Sequence, residues 1–333
     1  MIDQDAPPLS STEIRARLQS RIGKTRRFFP THLAIETINA CNADCVMCPY
    51  SSMTRKKGIM SMEDHERLLQ RVRDWGAPIR EISHAGMGDP LLDKRLEEKI
   101  IREKEVFPDA AIYVYTNGGL LGPERAERLL RSGVSLISFS INGFRKDTYE
   151  RVMRIPRDAT YRNVEALIER RNALASPVRI QASLVKTALC SLEEVEEWRA
   201  YWADRVESLV LPAWISWGDF FDKEDRQNTD TLSRRLAEQV PCPYIWKTLM
   251  VDQSGIVKMC CEDYDTSLPQ GNALTDPLDD IFNSPVMQRQ RSDQLRGDFD
   301  TPAMCRNCVE TGAAARDFWA LARLAPRDPV GPP

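Results

Sequence analysis

From residue 32 onward the chain alternates short apolar runs with longer stretches whose apolar residues recur at helical spacing. The runs at 32–37, 79–83, 111–115, 135–141, 178–185 and 208–215 predict strands. Between them, 61–72, 92–103, 123–132, 161–174 and 191–202 predict amphipathic helices. Strands separated by helices of that length imply parallel βαβ units, because a parallel partner is reached only by a crossover. Six such strands predict an α/β fold, a partial (β/α)6 TIM-like barrel short of the closed eight-stranded form. Function in such sheets sits at the carboxyl ends of the strands.

The flanks read differently. Residues 1–9 are polar and contain proline, and Ser10 with Glu13 forms a capping box opening a basic helix to about residue 28. Its run Lys24-Thr25-Arg26-Arg27 reads as a solvated helix end. Past residue 235 the pattern loosens into loops and short elements. There, 246–251 and 256–259, joined by Asp252-Gln253-Ser254-Gly255, predict a β-hairpin, and 278–291 predicts a helix. The expected division is a tail and helix over 1–30, the barrel over 31–235 and a small α+β domain over 236–333.

Composition narrows the classes. The 333 residues are 42% hydrophobic and 29% charged, with a net charge of −3. That is ordinary globular composition, so neither nucleic acid nor membrane is expected as a partner. No apolar run approaches a membrane span, and the acidic start lacks the apolar segment of a signal peptide. Nine cysteines, clustered and without an export signal, read as metal ligands in a cytoplasmic protein.

The chemistry concentrates in Cys41-Asn42-Ala43-Asp44-Cys45-Val46-Met47-Cys48, directly after the first strand. Three thiolates so close can face one centre, and thiolate suits iron–sulfur clusters and soft metals. No fourth thiol or histidine lies within ligand spacing, so a closed zinc site is incomplete here. A [4Fe–4S] cluster whose fourth iron is free for a small molecule fits that set.

The spacing CxxxCxΦC, with Met47 as the apolar residue, resembles the defining loop of the radical S-adenosylmethionine (SAM) enzymes. The resemblance implies that Cys41, Cys45 and Cys48 hold the cluster and that its open iron binds the amino and carboxylate groups of SAM. An external one-electron reductant such as flavodoxin or ferredoxin would then trigger cleavage to a 5'-deoxyadenosyl radical. Later strand ends continue the likeness, over roughly residues 32–216. Gly86-Met87-Gly88-Asp89-Pro90 resembles the family's GGE motif, with Asp89 in place of Glu, and implies contact with the SAM amino group. Thr116-Asn117-Gly118 and Ser140-Ile141-Asn142-Gly143 follow, the latter on the ribose side. Gln181 and Ser183 share a strand face and imply contact with the SAM carboxylate. Glu36, Asn39 and His84 are further polar residues at strand ends, His84 either an acid–base group or a hydrogen-bonded barrel histidine.

Cys242, Cys260, Cys305 and Cys308 bring four thiols to the last region, and a zinc knuckle is the first reading of such a set. Their order, with the segment 278–285, resembles the twitch domain, a shortened SPASM domain, and implies one auxiliary [4Fe–4S] cluster. With no cysteine after Cys308, the two auxiliary clusters of sulfatase-maturing enzymes are not expected. Cys190, at a strand-to-helix turn capped by Ser191 and Glu194, and Cys261 remain as candidate catalytic thiols.

Size and cysteine layout resemble the twitch enzymes of aminoglycoside assembly, which implies a small polar substrate, a sugar or cyclitol. Its radical has two fates: a thiol such as Cys190 returns hydrogen on the opposite face, giving an epimer, or the electron leaves through the auxiliary cluster, giving a ketone. The thiol favours the first, with the second close behind. Trp214-Ile-Ser-Trp217-Gly-Asp219-Phe220-Phe221 offers aromatic platforms and an acid for such a substrate, or else core packing. A peptide-modifying SPASM enzyme and a non-catalytic iron–sulfur or zinc module are the alternatives.

Overall fold

The computed structural model describes residues 10–22, 25, 27–212, 217, 239–306, 308, 311 and 315. The barrel segment runs β1 (His32–Ile35), α2 (Met62–Trp75), β2 (Glu81–His84), α3 (Leu96–Val106), β3 (Ala111–Thr116), α4 (Pro123–Arg131) and β4 (Leu136–Ser140). It continues through α5 (Lys146–Met153), α6 (Arg157–Ala173), β5 (Arg179–Ser183), α7 (Leu192–Trp202) and β6 (Ser208–Val210). Before it lies α1 (Ser11–Ile22), opened by the Ser10–Glu13 capping box. After it come α8 (Tyr244–Lys247), β7 (Thr248–Val251), β8 (Ile256–Lys258), β9 (Pro269–Asn272), α9 (Leu278–Phe282) and α10 (Pro285–Arg296).

Local chemistry sets the boundaries. The Ser61 hydroxyl accepts the Asp64 N–H at the start of α2, and Gly76 ends that helix in the left-handed region, φ 78°. Ser191 caps α7 in the same way. The α5 helix was not predicted, because its few apolar positions are crowded by charge over only eight residues. The sixth strand stops at Val210, short of its expectation, and positions 213–216 lie outside the described residues.

Strands β1 to β6 pair in sequence, all parallel. The hairpin β7–β8 forms as expected from Thr248, although Trp246 and Lys247 belong to α8. What the sequence did not announce is that β7 also pairs in parallel with β1, Thr248 opposite His32. Among the described residues the strands make one sheet, ordered β6-β5-β4-β3-β2-β1-β7-β8-β9.

Alternation along each strand divides the sheet's two faces. Leu33, Ile35, Ile82, Ile112, Val114, Ile137, Phe139, Ile180, Leu249 and Val251 are all fully buried beneath the helices. Each contributes about 1.5–3 kcal/mol by leaving water. The opposite, interior face carries His32, Ser83, Ser138, Gln181, Ser208 and Thr248. A parallel sheet covered on both sides reads as continuously apolar. This one has a polar inner face, the signature of a barrel that holds a ligand.

The same count resolves His84. It shares its face with Ile82, so it points to the helices and not into the barrel. There Glu103 of α3 bridges it, at 2.9 Å, to His65 of α2, at 2.7 Å. All three side chains are fully buried. Burial opposes the charge on Glu103, but His84 and His65 outweigh it and hold the carboxyl at about 2. His84 is therefore the hydrogen-bonded histidine of the two alternatives. Glu103→Ala should lower the unfolding free energy by about 3–5 kcal/mol in a urea titration at pH 7. Because the folded pKa is depressed, the stability Glu103 supplies is full above its ordinary 4.5 and drains as pH falls toward about 2.

Candidate functional site

The interior face is wired by short polar bonds. The His32 ring meets Ser83 Oγ at 2.8 Å and Thr248 Oγ1 at 3.0 Å, across three strands. Burial, then the Lys247 charge, lower its pKa to about 3, so the ring is neutral. On the far side Gln181 donates to Ser138 at 2.9 Å and accepts from Ser208 at 3.2 Å. Ser183 donates to the Phe139 carbonyl at 3.3 Å, and Ser140 stands opposite it in register, half-buried.

The first cysteine loop leaves the top of β1 and is gripped from several strand ends. The Asn39 amide holds the returning chain through the Lys56 carbonyl and the Gly58 N–H. The Cys41 N–H donates to the Tyr50 hydroxyl at 3.0 Å, and Cys48 N–H to the Cys45 carbonyl at 3.0 Å. Asn117 donates to Asn42 at 2.8 Å, with its amide 3.9 Å from Cys41 Sγ. Met153 places its sulfur 3.6 Å from Cys45 Sγ and 3.0 Å from the Asn142 amide, while Asn142 Oδ1 accepts the Val185 N–H. Met47 is buried, and its carbonyl accepts the Trp217 indole N–H at 3.0 Å. The other members of the Trp214–Phe221 platform lie outside the described residues, as do Lys24 and Arg26.

Beside the loop sits a buried ion pair. Arg55 reaches both oxygens of Glu36, at 2.7 and 3.1 Å, and adds bonds to Gln253 and the Tyr264 carbonyl. The same carboxylate accepts the Met87 N–H at 2.6 Å. A Cβ on Gly86 would strike that carboxylate, and one on Gly88 would strike the carbonyls of Ile38 and Ala40. The glycines of this motif are thus required for close approach of two loops. Asp89 is buried, and burial raises its pKa. Its oxygens accept from Thr116 Oγ1 at 2.9 Å, Asn117 N–H at 2.7 Å and Leu91 N–H at 2.9 Å. Asp89 therefore clamps the second strand end to the third.

The second cysteine set lies along α10. Cys242 N–H donates to Gln294 Oε1 at 2.7 Å, and the Gln290 and Gln294 amides approach Cys305 Sγ at 3.5 and 3.9 Å. Glu262 N–H donates to Cys260 Sγ at 3.2 Å, and its buried carboxylate accepts from Cys308 Sγ at 2.9 Å. Asp265, on the same loop, accepts from Thr54 and Arg55, a few residues past Cys48. Cys261 is half-buried beside Cys260. Cys190 is elsewhere: its thiol is 1% exposed within the apolar core, and its nearest polar partner is the Ser191 carbonyl.

Both thiol sets suit a polynuclear metal group. Burial pushes Cys41 up to about 11, Cys48 and Cys305 to about 12, and Cys45 and Cys308 well above the usual range. Such thiols stay protonated until a metal displaces the proton. Among the described residues, no three ligating side chains close on one point as a single ion demands. A four-iron cube does not demand it, since each cysteine binds a different corner. Sequence reasoning missed Arg55 and Met153, whose partners are far away in the chain, and also Tyr50 and the α10 glutamines, whose partners are nearer but follow no periodic spacing.

An α/β barrel with one cysteine loop at its mouth and a second thiol set beside it defines an iron–sulfur enzyme class. Residues 35–180 match the radical SAM superfamily, and residues 242–309 match SPASM, an iron–sulfur cluster-binding domain. The chain thus carries a radical SAM domain followed by a SPASM domain, a pairing that supports SAM and two [4Fe–4S] clusters as its cofactors. It is 30% identical over 126 residues to a GTP 3',8-cyclase of Pelotomaculum thermopropionicum, covering 37% of this chain and 38% of that one. It is 31% identical over 103 residues to the S-adenosyl-L-methionine-dependent 2-deoxy-scyllo-inosamine dehydrogenase of Niallia circulans, 31% of this chain and 41% of that one. These alignments span only about two fifths of each curated relative. The fold is similar to the crystal structure of BtrN in complex with AdoMet and 2-DOIA, with TM-score 0.59, 18% identity, and 85% and 94% of the two chains covered. No helix among the described residues is long and apolar enough to cross a membrane.

Asp89→Asn tests the clamp. The change turns one acceptor oxygen into a donor facing Asn117 N–H or Thr116, so unfolding free energy should drop by about 1–3 kcal/mol without SAM. Unchanged stability with lost SAM binding, read by calorimetry, would make Asp89 a ligand instead.

Proposed function

We propose that the protein is a radical SAM dehydrogenase that takes a carbinol carbon of a small sugar or aminated cyclitol to a ketone. The observation that carries this reading is where its cysteines lie. Cys190, the candidate hydrogen donor of an epimerase, is 1% exposed and packed in the apolar core. The second thiol set instead communicates with the first loop through the Asp265–Thr54 and Arg55–Tyr264 bonds.

In this reading Cys41, Cys45 and Cys48 hold the SAM-binding cluster, and Cys242, Cys260, Cys305 and Cys308 hold the auxiliary one. Loaded, these groups would supply hydrogen abstraction at carbon and a sink for the electron, with the hydroxyl proton leaving to solvent, as the carbinol becomes a carbonyl. The chain's own work is placement and exclusion of water. Gly86, Met87 and Gly88 present backbone to SAM, with Asp89, Thr116 and Asn117 fixing that wall. Ser140, Asn142, Gln181 and Ser183 line the ribose and carboxylate side. In register across four strands, Tyr115 and the hydroxyl and amide row of Ser138, Gln181 and Ser208 suit a hydroxyl-rich ring better than an apolar one. An external one-electron carrier, flavodoxin or ferredoxin in kind, reduces the first site. The likeness to the cyclitol dehydrogenase and to BtrN supports the substrate class.

Anaerobic turnover in heavy water with an aminated cyclitol panel tests the reading. Mass spectrometry should show a product two hydrogens lighter and free of deuterium, and Cys190→Ala should give the same product. A product of unchanged formula carrying one deuterium would mean a thiol donor, with Cys261 the remaining candidate, and an epimerase. SAM cleavage with every cyclitol unaltered would overturn the substrate class.

A further inference from the structure

Arg291 is a buried cation with no anion among the described residues. It stands on α10, 2% exposed, and its Nε donates to the Ile245 carbonyl at 2.9 Å. Neither terminal nitrogen has a hydrogen-bond partner, and no carboxylate among the described residues pairs with it. The guanidinium lies over the rings of Phe28 and Phe282, each centroid 4.7 Å away. Two aromatic faces offset part of the desolvation of a cation, but an unpaired buried charge still opposes folding. Burial lowers its pKa only to about 9, so it is charged at neutral pH.

Its surroundings point to the missing partner. Gln290 and Gln294, on the same stretch of α10, direct their amides at Cys305 Sγ. Gln294 also accepts the Cys242 N–H, and Ile245, which Arg291 holds, lies three residues past that cysteine. The cation is thus fastened to backbone on one side of the second thiol set while its helix neighbours bond to the sulfur. Given that this set binds the auxiliary cluster, as proposed above, we infer that α10 sets the cluster's electron affinity. Arg291 is its fixed counter-charge, and Gln290 and Gln294 are donors to the Cys305 sulfur. Four thiolates leave a [4Fe–4S] group net negative, and each added electron deepens that charge. A cation carried on the helix that donates to the sulfur, and the N–H···S bonds themselves, favour the reduced form. Arg291 touches no substrate in this scheme; it is a positioning residue acting through charge.

The test is a redox titration of the reconstituted full chain followed by electron paramagnetic resonance, preceded by iron, sulfide and zinc analysis. In Arg291→Met the reduced-to-oxidised ratio of the auxiliary cluster at fixed potential should fall about tenfold, about 59 mV for one electron. The cluster of Cys41, Cys45 and Cys48 should keep its potential, and Arg291→Lys should retain most of the wild-type value. In metal-free protein, Arg291→Met should raise the melting temperature, since an unpaired charge is removed, while reconstitution should stabilise the variant less than wild type. If Arg291→Met takes up no cluster, Gln290→Leu decides, with a smaller shift of the same sign expected. Zinc in place of iron would overturn the cluster assignment itself. Iron and sulfide present with an unmoved potential would overturn the role of α10 alone.

Discussion

The Glu36–Arg55 pair is the contact on which the rest of the site depends. Glu36 directly follows the first barrel strand, and its carboxylate also receives the Met87 N–H from the second strand's loop. Arg55 is 9% exposed at its side chain and reaches on to Gln253 and Tyr264 in the last third of the chain. Breaking such a pair from one side leaves a buried charge and costs about 3–5 kcal/mol. One guanidinium therefore fixes the distance between the first cysteine loop, the glycine motif and the loop carrying Cys260. Arginine suits this because its five donors form a rigid fork, whereas a lysine ammonium presents one point charge.

Stability and chemistry are kept on opposite faces of the same strands. The helix-side face is apolar and fully buried, and it accepts a His–Glu–His bridge because each carboxylate oxygen of Glu103 meets one ring nitrogen, although Nδ1 of His65 and of His84 has no partner. The interior face uses serine, threonine, glutamine and a neutral histidine, which cost little to leave wet and can bond a polar ligand. Substrate choice can then vary on the inner face without disturbing the layer that holds the barrel together.

How much was legible in the sequence follows from how local each signal is. Strand and helix alternation, the Ser10 and Ser191 caps and the cysteine spacings are set by residues a few positions apart, so they read directly. His84 stayed open between two roles in the sequence, although counting alternation from Ile82 places it on the helix side. The clamp of Asp89 was not, because its partners Thr116 and Asn117 stand 27 and 28 residues on. Nor was Arg55, whose ligands come from both ends of the chain. For Cys190 the turn was foreseen but not the direction of the thiol, since a cap fixes backbone and leaves side-chain packing to tertiary contacts. Arg291 reads in sequence as one more charge on a polar helix; only its burial makes it unusual.

The pairing of β1 with β7 has a consequence for biosynthesis. His32 bonds to Thr248 across 216 positions of chain, so the first barrel strand acquires its second neighbour only after residues 248–251 have been made. Until then β1 is a bare edge, with backbone groups open to pairing with other chains. Contacts of such separation form late, because loop closure must precede their reward. The loop of Cys41 to Cys48 hangs from that edge, so its final enclosure by Arg55 awaits residues 252–265. Enclosure of the first cysteine loop is thereby tied to synthesis through residue 265, and a chain that stops before it leaves the barrel with an open seam.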